Sequence, residues 1–504
     1  MPTKSQCCGI FGYVVAVILI AGGACLYELL PPFVHKMIKD ELPVTHPGSS
    51  GFDTFANSSG KVSIYQSFYL FHVENPYDVV YNGAAPILQE RGPYNYLTTQ
   101  WRNLDNISWY ANATLAYTYH ETYTFEPGLS NGLLDTDMIT TLDLGVIGAM
   151  YENRNDPILV DLIKLLAANY NVFANLTVKE MLFGYNNTFL ASMGHNPFVT
   201  IFTNDDPSSW SAPTALYTGG SAASTLPAPP ANSMNFLTQW EGYSTLPYWG
   251  DNYANMINGT DGTVLSPGIT SSDRPYVFVD TLYRSCTLMC QETVTYQGVD
   301  LLRFVLAPEM LLNMSANPNN AAFGMIESGF LPTPPAGNAP ITFSKPHYLD
   351  ANTDRVLVKI NSVGDVTDPR AAYETILDTE PNTGILMQVH KRIQMNAFIQ
   401  SNYSTGESPA LLATWFPVLW ADENMALPTN LVDQFKHEVQ LPLLLAKWGG
   451  IAAISLGGAL FVLVSIVLIA RRRSGDSAAS HLNSYSNLST DQQLNAEAAY
   501  GGYR

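Results

Sequence analysis

Val62-Ser63-Ile64-Tyr65 begins the stretch that decides the fold, and Arg303-Phe304-Val305-Leu306 has the same character. Each is a short run of β-branched, aliphatic and aromatic side chains, the kinds that fit a pleated, half-buried surface. Runs like these alternate with Gly, Pro, Asn and Asp turns across most of the chain, which predicts a large antiparallel β structure. One stretch differs. Residues 158–173, ILVDLIKLLAANYNVF, put apolar side chains at Ile158, Leu159, Leu162, Leu165 and Leu166, with Lys164 among them. That spacing predicts an amphipathic helix with a broad apolar stripe. Asp156-Pro157 supplies its N-cap and first helical residue. Val178 to Phe183 reads as a second short helix starting near Asn175 or Thr177. Residues 205–233, rich in Pro, Ser, Ala and Gly, read as a surface loop.

The β-rich region lies between two uncharged apolar stretches. Gly9 to Tyr27 reads GIFGYVVAVILIAGGACLY, and Trp448 to Ala470 is followed at once by Arg471-Arg472-Arg473. At ~1.5 Å per residue each approaches or spans a ~30 Å hydrocarbon core. A cleavable signal peptide is the alternative for the first, with Gly22 and Ala24 before a cut. Its single Lys4 and long apolar run favour an anchor. The Arg triplet places the C-terminal end of the second span in the cytosol. With both spans kept, the expected organisation is a cytosolic tail (1–8), a span (9–30), an ectodomain (31–446), a span (447–470) and a cytosolic tail (471–504). Both termini are then cytosolic.

Eight N-x-[ST] sequons lie between the spans, at Asn57, Asn106, Asn112, Asn175, Asn186, Asn258, Asn313 and Asn402. One sequon is weak evidence, but eight suit a glycosylated luminal or extracellular domain. A ninth, Asn487, falls in the cytosolic tail and should stay unmodified. The net charge of -19 divides unevenly. The region between the spans holds 39 acidic and 18 basic residues, a net of -21, and the rest of the chain is +2. A basic stripe is the footprint of nucleic-acid binding, so that class is excluded. With 46% hydrophobic and 13% charged residues the chain is no acidic disordered polymer either. An acidic lumen would protonate some carboxylates and relieve their repulsion, so an endolysosomal home suits this composition. The nine histidines are scattered, and no HExxH, paired CxxC, GxSxG or P-loop occurs. No catalytic, metal or cofactor residue is therefore assigned.

A resemblance comes from ordered motifs. Phe68-Tyr69-Leu70-Phe71-His72-Val73-Glu74-Asn75-Pro76 is followed by Gly83-Ala84-Ala85-Pro86 and Glu90-Arg91-Gly92-Pro93-Tyr94-Asn95-Tyr96. Then come Phe125-Glu126-Pro127, Glu180-Met181-Leu182-Phe183-Gly184-Tyr185 and Met256-Ile257-Asn258-Gly259-Thr260-Asp261-Gly262. Asn317-Pro318-Asn319-Asn320, Ser344-Lys345-Pro346-His347, Lys391-Arg392-Ile393-Gln394-Met395-Asn396 and Pro417-Val418-Leu419-Trp420 with Glu423 complete the set. The pattern resembles the class B scavenger receptor family, which includes the type-two lysosomal integral membrane protein. The resemblance implies an α+β fold: a large antiparallel β-barrel-like ectodomain, an apical helical bundle near 144–194, and an internal tunnel carrying sterols, fatty acids or phospholipids toward the membrane. It makes the helix at Ile158 the expected apical ligand-binding element. It also allows a cell-surface phagocytic or scavenger role with a microbial ligand, or trafficking of a luminal hydrolase.

Departures from the family pattern bear on these roles. Family members usually carry several luminal cysteines, some just after the Asn-Pro-x-Asn motif. Here Phe323 to Gly329 has none, and Cys286 and Cys290 alone lie between the spans. On one strand their Cα atoms would be ~13 Å apart, beyond disulfide reach; a local turn would permit a bridge. No histidine lies between Glu121 and Gly194, which weakens a pH-sensing enzyme-carrier role. Arg154, Lys164 and Lys179 form a poor basic cluster for anionic lipoprotein. Cys7 and Cys8 abut the first span and are palmitoylation candidates. The tail from Arg471 reads as disordered. Within it, Tyr485-Ser486-Asn487-Leu488 fits the tyrosine-based sorting pattern that clathrin adaptors bind as an extended peptide. Tyr485 and Leu488 thus imply lysosomal and endosomal membranes, with cycling through the plasma membrane.

Overall fold

The computed structural model describes residues 4–44, 46–48, 50–56, 62–167, 172–203, 212–230, 232–334, 340–400 and 412–500. Two compact units emerge: Ile38–Val432, and Met1–Met37 with Asp433–Arg504.

A twelve-stranded sheet organises the larger unit. Its path runs through Tyr276–Val279, Arg284–Tyr296, Val299–Leu306, Ile376–Thr379, Leu386–Ile399, Thr414–Ala426, Ile64–Val73, Ile87–Arg102 and Lys359–Asn361. All these ladders are antiparallel except the last. Tyr119–Phe125 adds to Ile87–Arg102, and Ile341–Ser344 joins Leu386–Ile399 to Leu331–Pro332. Among the described residues no ladder joins the two ends of the path. Residues 205–233, expected as loop, contain the strand Thr214–Tyr217, which sits inside a second, four-stranded sheet. Its Thr-Ala-Leu-Tyr run is a short β pattern concealed by the small polar residues around it.

Four short helices follow one another: Leu144–Glu152, Pro157–Ala167, Val178–Phe183 and Thr188–Ser192. Each begins on a side-chain cap that satisfies otherwise orphaned N–H groups. Asp143 Oδ1 accepts from Gly145 and Val146, and Asp156 Oδ1 from Ile158 and Leu159. Thr177 and Glu180 form a reciprocal capping box, and Asn187 accepts from Leu190. The amphipathic helix stops at Ala167 instead of Phe173. Phe173 begins the strand Phe173–Thr177, which pairs with Met138–Leu142, and that ladder takes over the backbone bonds. Among the described side chains of this helix, the burial is uneven. Val160 and Ile163 are the buried pair, three residues apart on one face, whereas Ile158 is 81% exposed and Leu159 40%. The side chains of Leu162, Lys164, Leu165 and Leu166 lie outside the described residues.

One apolar cluster joins Phe68, Leu88 and Phe416 of the sheet to Val146, Met181 and Phe189 of the helices. Each large side chain removed from water contributes ~1.5–3 kcal/mol. This packing substitutes for covalent bracing, because Cys286 and Cys290 are both free thiols on the strand Arg284–Tyr296. The extended backbone between them leaves the proposed bridge unformed. The Asn-Pro motif has a structural job: Asn317 caps the turn Pro318–Phe323, and buried Asn320 donates to the carbonyls of Glu309 and Leu312. Arg303 grips fully buried Asp378 through two 2.8 Å bonds. Gly259, at φ 82, lies against the Tyr276 carbonyl, where a Cβ would come within 1.8 Å. No other residue type fits that approach.

In the smaller unit the helix Lys4–Glu41 runs well past the expected end of its span, with Pro31 and Pro32 inside it. Opposite it, Gly450–Tyr500 is one continuous helix. Residues 10–38 and 429–474 are long and apolar enough to cross a membrane. The tail expected as disordered is therefore helical to Tyr500, its alanines, glutamines and leucines favouring continuation of the span helix. The two helices touch through small residues: a Cβ on Gly23 would lie 2.7 Å from the Gly450 carbonyl, and one on Gly457 2.8 Å from that of Ala16. Such close approach is how helices associate in lipid, where apolar burial gives no advantage. Tyr13 and Ser465 add a 2.8 Å hydroxyl pair. A Cβ on Gly12 would sit 3.8 Å from that of Val464, about the mean disulfide spacing of ~3.8 Å. Gly12→Cys with Val464→Cys should crosslink under oxidation and shift mobility on a non-reducing gel. Adding Gly457→Leu should cut the yield several-fold; undiminished crosslinking would refute the contact.

Candidate functional site

The site is a partly open cavity of about 560 Å³ within Ile38–Val432. Strand periodicity builds its wall, because every second residue of a strand faces the same way. Ile64 and Gln66 contribute from one strand, and Tyr119 and Glu121 from another. Lys391, Ile393 and Met395 come from a third, and Leu419, Ala421 and Glu423 from a fourth. Leu144, Ile147 and Gly148 bring the first capped helix to the wall, and Val199 to Phe202 line it from a loop. Gly148 leaves open space: a Cβ built there meets no neighbouring atom within 4 Å.

The lining is mainly apolar, with a charged belt. Lys391 Nζ pairs with Glu423 at 2.9 Å. Enclosure works against its charge, yet Glu423, with Asp261 and Asp280, raises the Lys391 pKa. Lys391 keeps a third of its side-chain surface accessible, and that surface faces the cavity. Glu121 accepts from Gln100 Nε2 at 2.7 Å and Tyr123 Oη at 3.0 Å. Burial pushes its pKa up to about 7, with Glu423 and Asp280 adding repulsion.

A buried node stands beside the sheet. Glu90 Oε1 accepts from Trp420 Nε1 and lies 2.9 Å from His347 Nε2, while Oε2 accepts from Val363 N–H at 2.7 Å. Trp420 stacks on Tyr69 at 3.8 Å, and His347 on Tyr373 at 4.5 Å. Burial opposes the Glu90 charge, but these hydrogen bonds outweigh it and hold the carboxyl below its ordinary pKa. Three separate sequence motifs, those of Glu90, His347 and Trp420, thus meet at one carboxylate. His347 serves as a structural partner there.

Asn106, Asn112, Asn175 and Asn186 are exposed, and Asn258 and Asn313 half-buried; Asn57 and Asn402 lie outside the described residues. Cys7, Cys8, Tyr485 and Leu488 fall on the two long helices, their side chains outside the described set. The sequence reading did not reach Glu121 or the belt around it. The available signal was a charged residue alternating with apolar ones, as in Lys391-Arg392-Ile393-Gln394-Met395, but a cavity wall and a packed core share that alternation.

The chain matches the CD36 family over residues 13–469. It is 26% identical over 443 residues to pig (Sus scrofa) scavenger receptor class B member 1, covering 85% of this chain and 82% of that one. It is 27% identical over 466 residues to human lysosome membrane protein 2, covering 88% and 91% respectively. A match over nearly the full length, taking in the large sheet and most of both long apolar helices, assigns the protein: it is a member of the CD36 family.

Proposed function

We propose that this protein is an endolysosomal membrane glycoprotein, held by two spans, that takes up lipids in its ectodomain cavity and conducts them to the membrane. The sterols, fatty acids and phospholipids implied by the family resemblance are the ligand classes. The observation that carries this reading is the 560 Å³ cavity with its mainly apolar wall, a size and lining typical of small-molecule sites. Tunnel, apical bundle and cytosolic termini belong to the same proposal. Mass spectrometry of lipids co-purifying with the full-length protein should find near-stoichiometric amphiphile. A lipid-free preparation that takes up none when offered it would sink the reading.

A second reading rests on Ile158 and Leu159, which stand exposed at the start of their helix. Exposed apolar residues of this kind suit a ligand-contacting surface in a phagocytic or scavenger receptor. Sorting is proposed to run through Tyr485 and Leu488. Adaptors bind such motifs extended, so this helical segment would unwind on binding. Tyr485→Ala is expected to move most of the protein from endolysosomes to the cell surface. Unchanged imaging would remove the motif from the account.

A further inference from the structure

The cavity's charged belt has an unequal balance. Four basic groups line the cavity, and each already has partners. Lys391 is held by Glu423, Arg392 by Asp422 and two carbonyls, and Lys345 by Asp350 and Glu374. Arg102 donates to the Phe55 carbonyl and lies over the Phe55 and Tyr117 rings. Arg284, also on the strand that lines the wall, is fully buried under Phe323 beside Met325 and is not part of the lining. The remaining acids are held by neutral donors. Glu121 takes Gln100 and Tyr123, Asp280 takes the backbone and hydroxyl of Thr281, and Asp261 those of Thr263. With Lys345 and Arg392 offset by acids outside the lining, a lipid head reaching this belt meets four carboxylates against the charges of Lys391 and Arg102, and oxygens that only accept hydrogen bonds.

The geometry points to a headgroup filter: the belt around Glu121, Glu423, Asp261 and Asp280 admits amphiphiles whose head donates a hydrogen bond without negative charge, and excludes anionic heads at neutral pH. This inference rests on the lipid-cavity reading above. Like charge repels an anionic head strongly in so enclosed a site, whereas a hydroxyl finds acceptors. Acid should relax the exclusion. Glu121 faces Gln100 from one neighbouring strand, Glu423 from the wall opposite, Asp280 from the turn beyond, and Tyr119 and Tyr123 along its own strand. Lys391 stands behind Glu423. Burial and those two carboxylates place the Glu121 titration near neutrality, so it gains a proton, and with it a donor, as a compartment acidifies.

The probes are radiolabelled cholesterol and cholesteryl sulfate, bound to purified full-length protein at pH 7.4 and 5.5. The sulfate ester stays ionised throughout, so any pH effect lies in the protein. The wild type should bind cholesterol at least about tenfold tighter at pH 7.4, with the gap narrowing at pH 5.5. Glu121→Gln, which matches the side chain in size, should narrow the gap at pH 7.4 and flatten the pH profile. Equal affinities in the wild type, or an unchanged profile in Glu121→Gln, would overturn the filter while leaving a lipid cavity. Binding of neither sterol at either pH would overturn the filter, and failure to take up fatty acid and phospholipid as well would overturn the cavity reading.

Discussion

Gly148→Trp is expected to reduce lipid transfer by tenfold or more while the protein stays folded. The residue lies mid-helix in Leu144–Glu152, lines the cavity and has open space where a Cβ would stand. An indole placed there extends into the cavity without first displacing a packed neighbour. Substitution also removes a helical glycine, which costs ~0.5–1 kcal/mol relative to alanine. Gly148→Ala is the matched control. It should gain about that much stability and keep transfer, because a methyl group leaves the passage open. Transfer between donor and acceptor vesicles, with thermal denaturation in parallel, checks both variants. A Gly148→Trp protein that transfers lipid at the wild-type rate would show that lipid does not pass this point.

Glu90→Ala should destabilise the unit Ile38–Val432 by about 3–5 kcal/mol, because it leaves buried donors on Trp420 and Val363 without an acceptor and removes the partner of His347. Glu90→Gln retains one acceptor and should cost roughly half as much. Chemical denaturation at pH 7 distinguishes the two, and equal small losses would mean that the node is not a stabilising element. The pH dependence has a definite sign. Because the folded-state pKa of Glu90 is lowered, its contribution is complete above the ordinary carboxylate pKa and is lost only as pH falls through the lowered value. Glu90 therefore still contributes in full at about pH 5. Glu121 behaves oppositely: its raised pKa means that stability is greatest in acid and declines as pH rises through about 7. Glu121→Gln should accordingly stabilise the protein at neutral pH.

Much of the architecture was legible from residue pattern. Alternating β runs gave the antiparallel sheet, Asp156-Pro157 and Thr177 marked two helix starts, and the uncharged stretches marked the two helices long and apolar enough to cross a membrane. What escaped depends on tertiary context. The helix after Asp156 ends early because Phe173–Thr177 finds a strand partner at Met138–Leu142, a contact remote in sequence. Among its described side chains Val160 and Ile163 are the buried ones, a choice made by tertiary neighbours that the periodicity does not reveal. The cavity was invisible because Leu419 and Ala421 would alternate identically against a solid core. Glu121 reads as an ordinary strand carboxylate until Glu423 and Asp280 are brought alongside by elements far along the chain.

The strand Thr414–Ala426 lies between Leu386–Ile399 and Ile64–Val73, so the first strand of the large sheet is completed by its last. The Asn424 amide donates to Ser67 Oγ across 357 residues of sequence. During synthesis the opening strand must therefore stay unpaired on that edge until the chain has been made as far as Thr414–Ala426. Such non-local closure is slow, and it exposes a long edge while it waits. A chain terminated before Thr414 could not be rescued as a smaller domain, so nonsense variants ahead of it should be cleared by quality control instead of reaching any membrane destination.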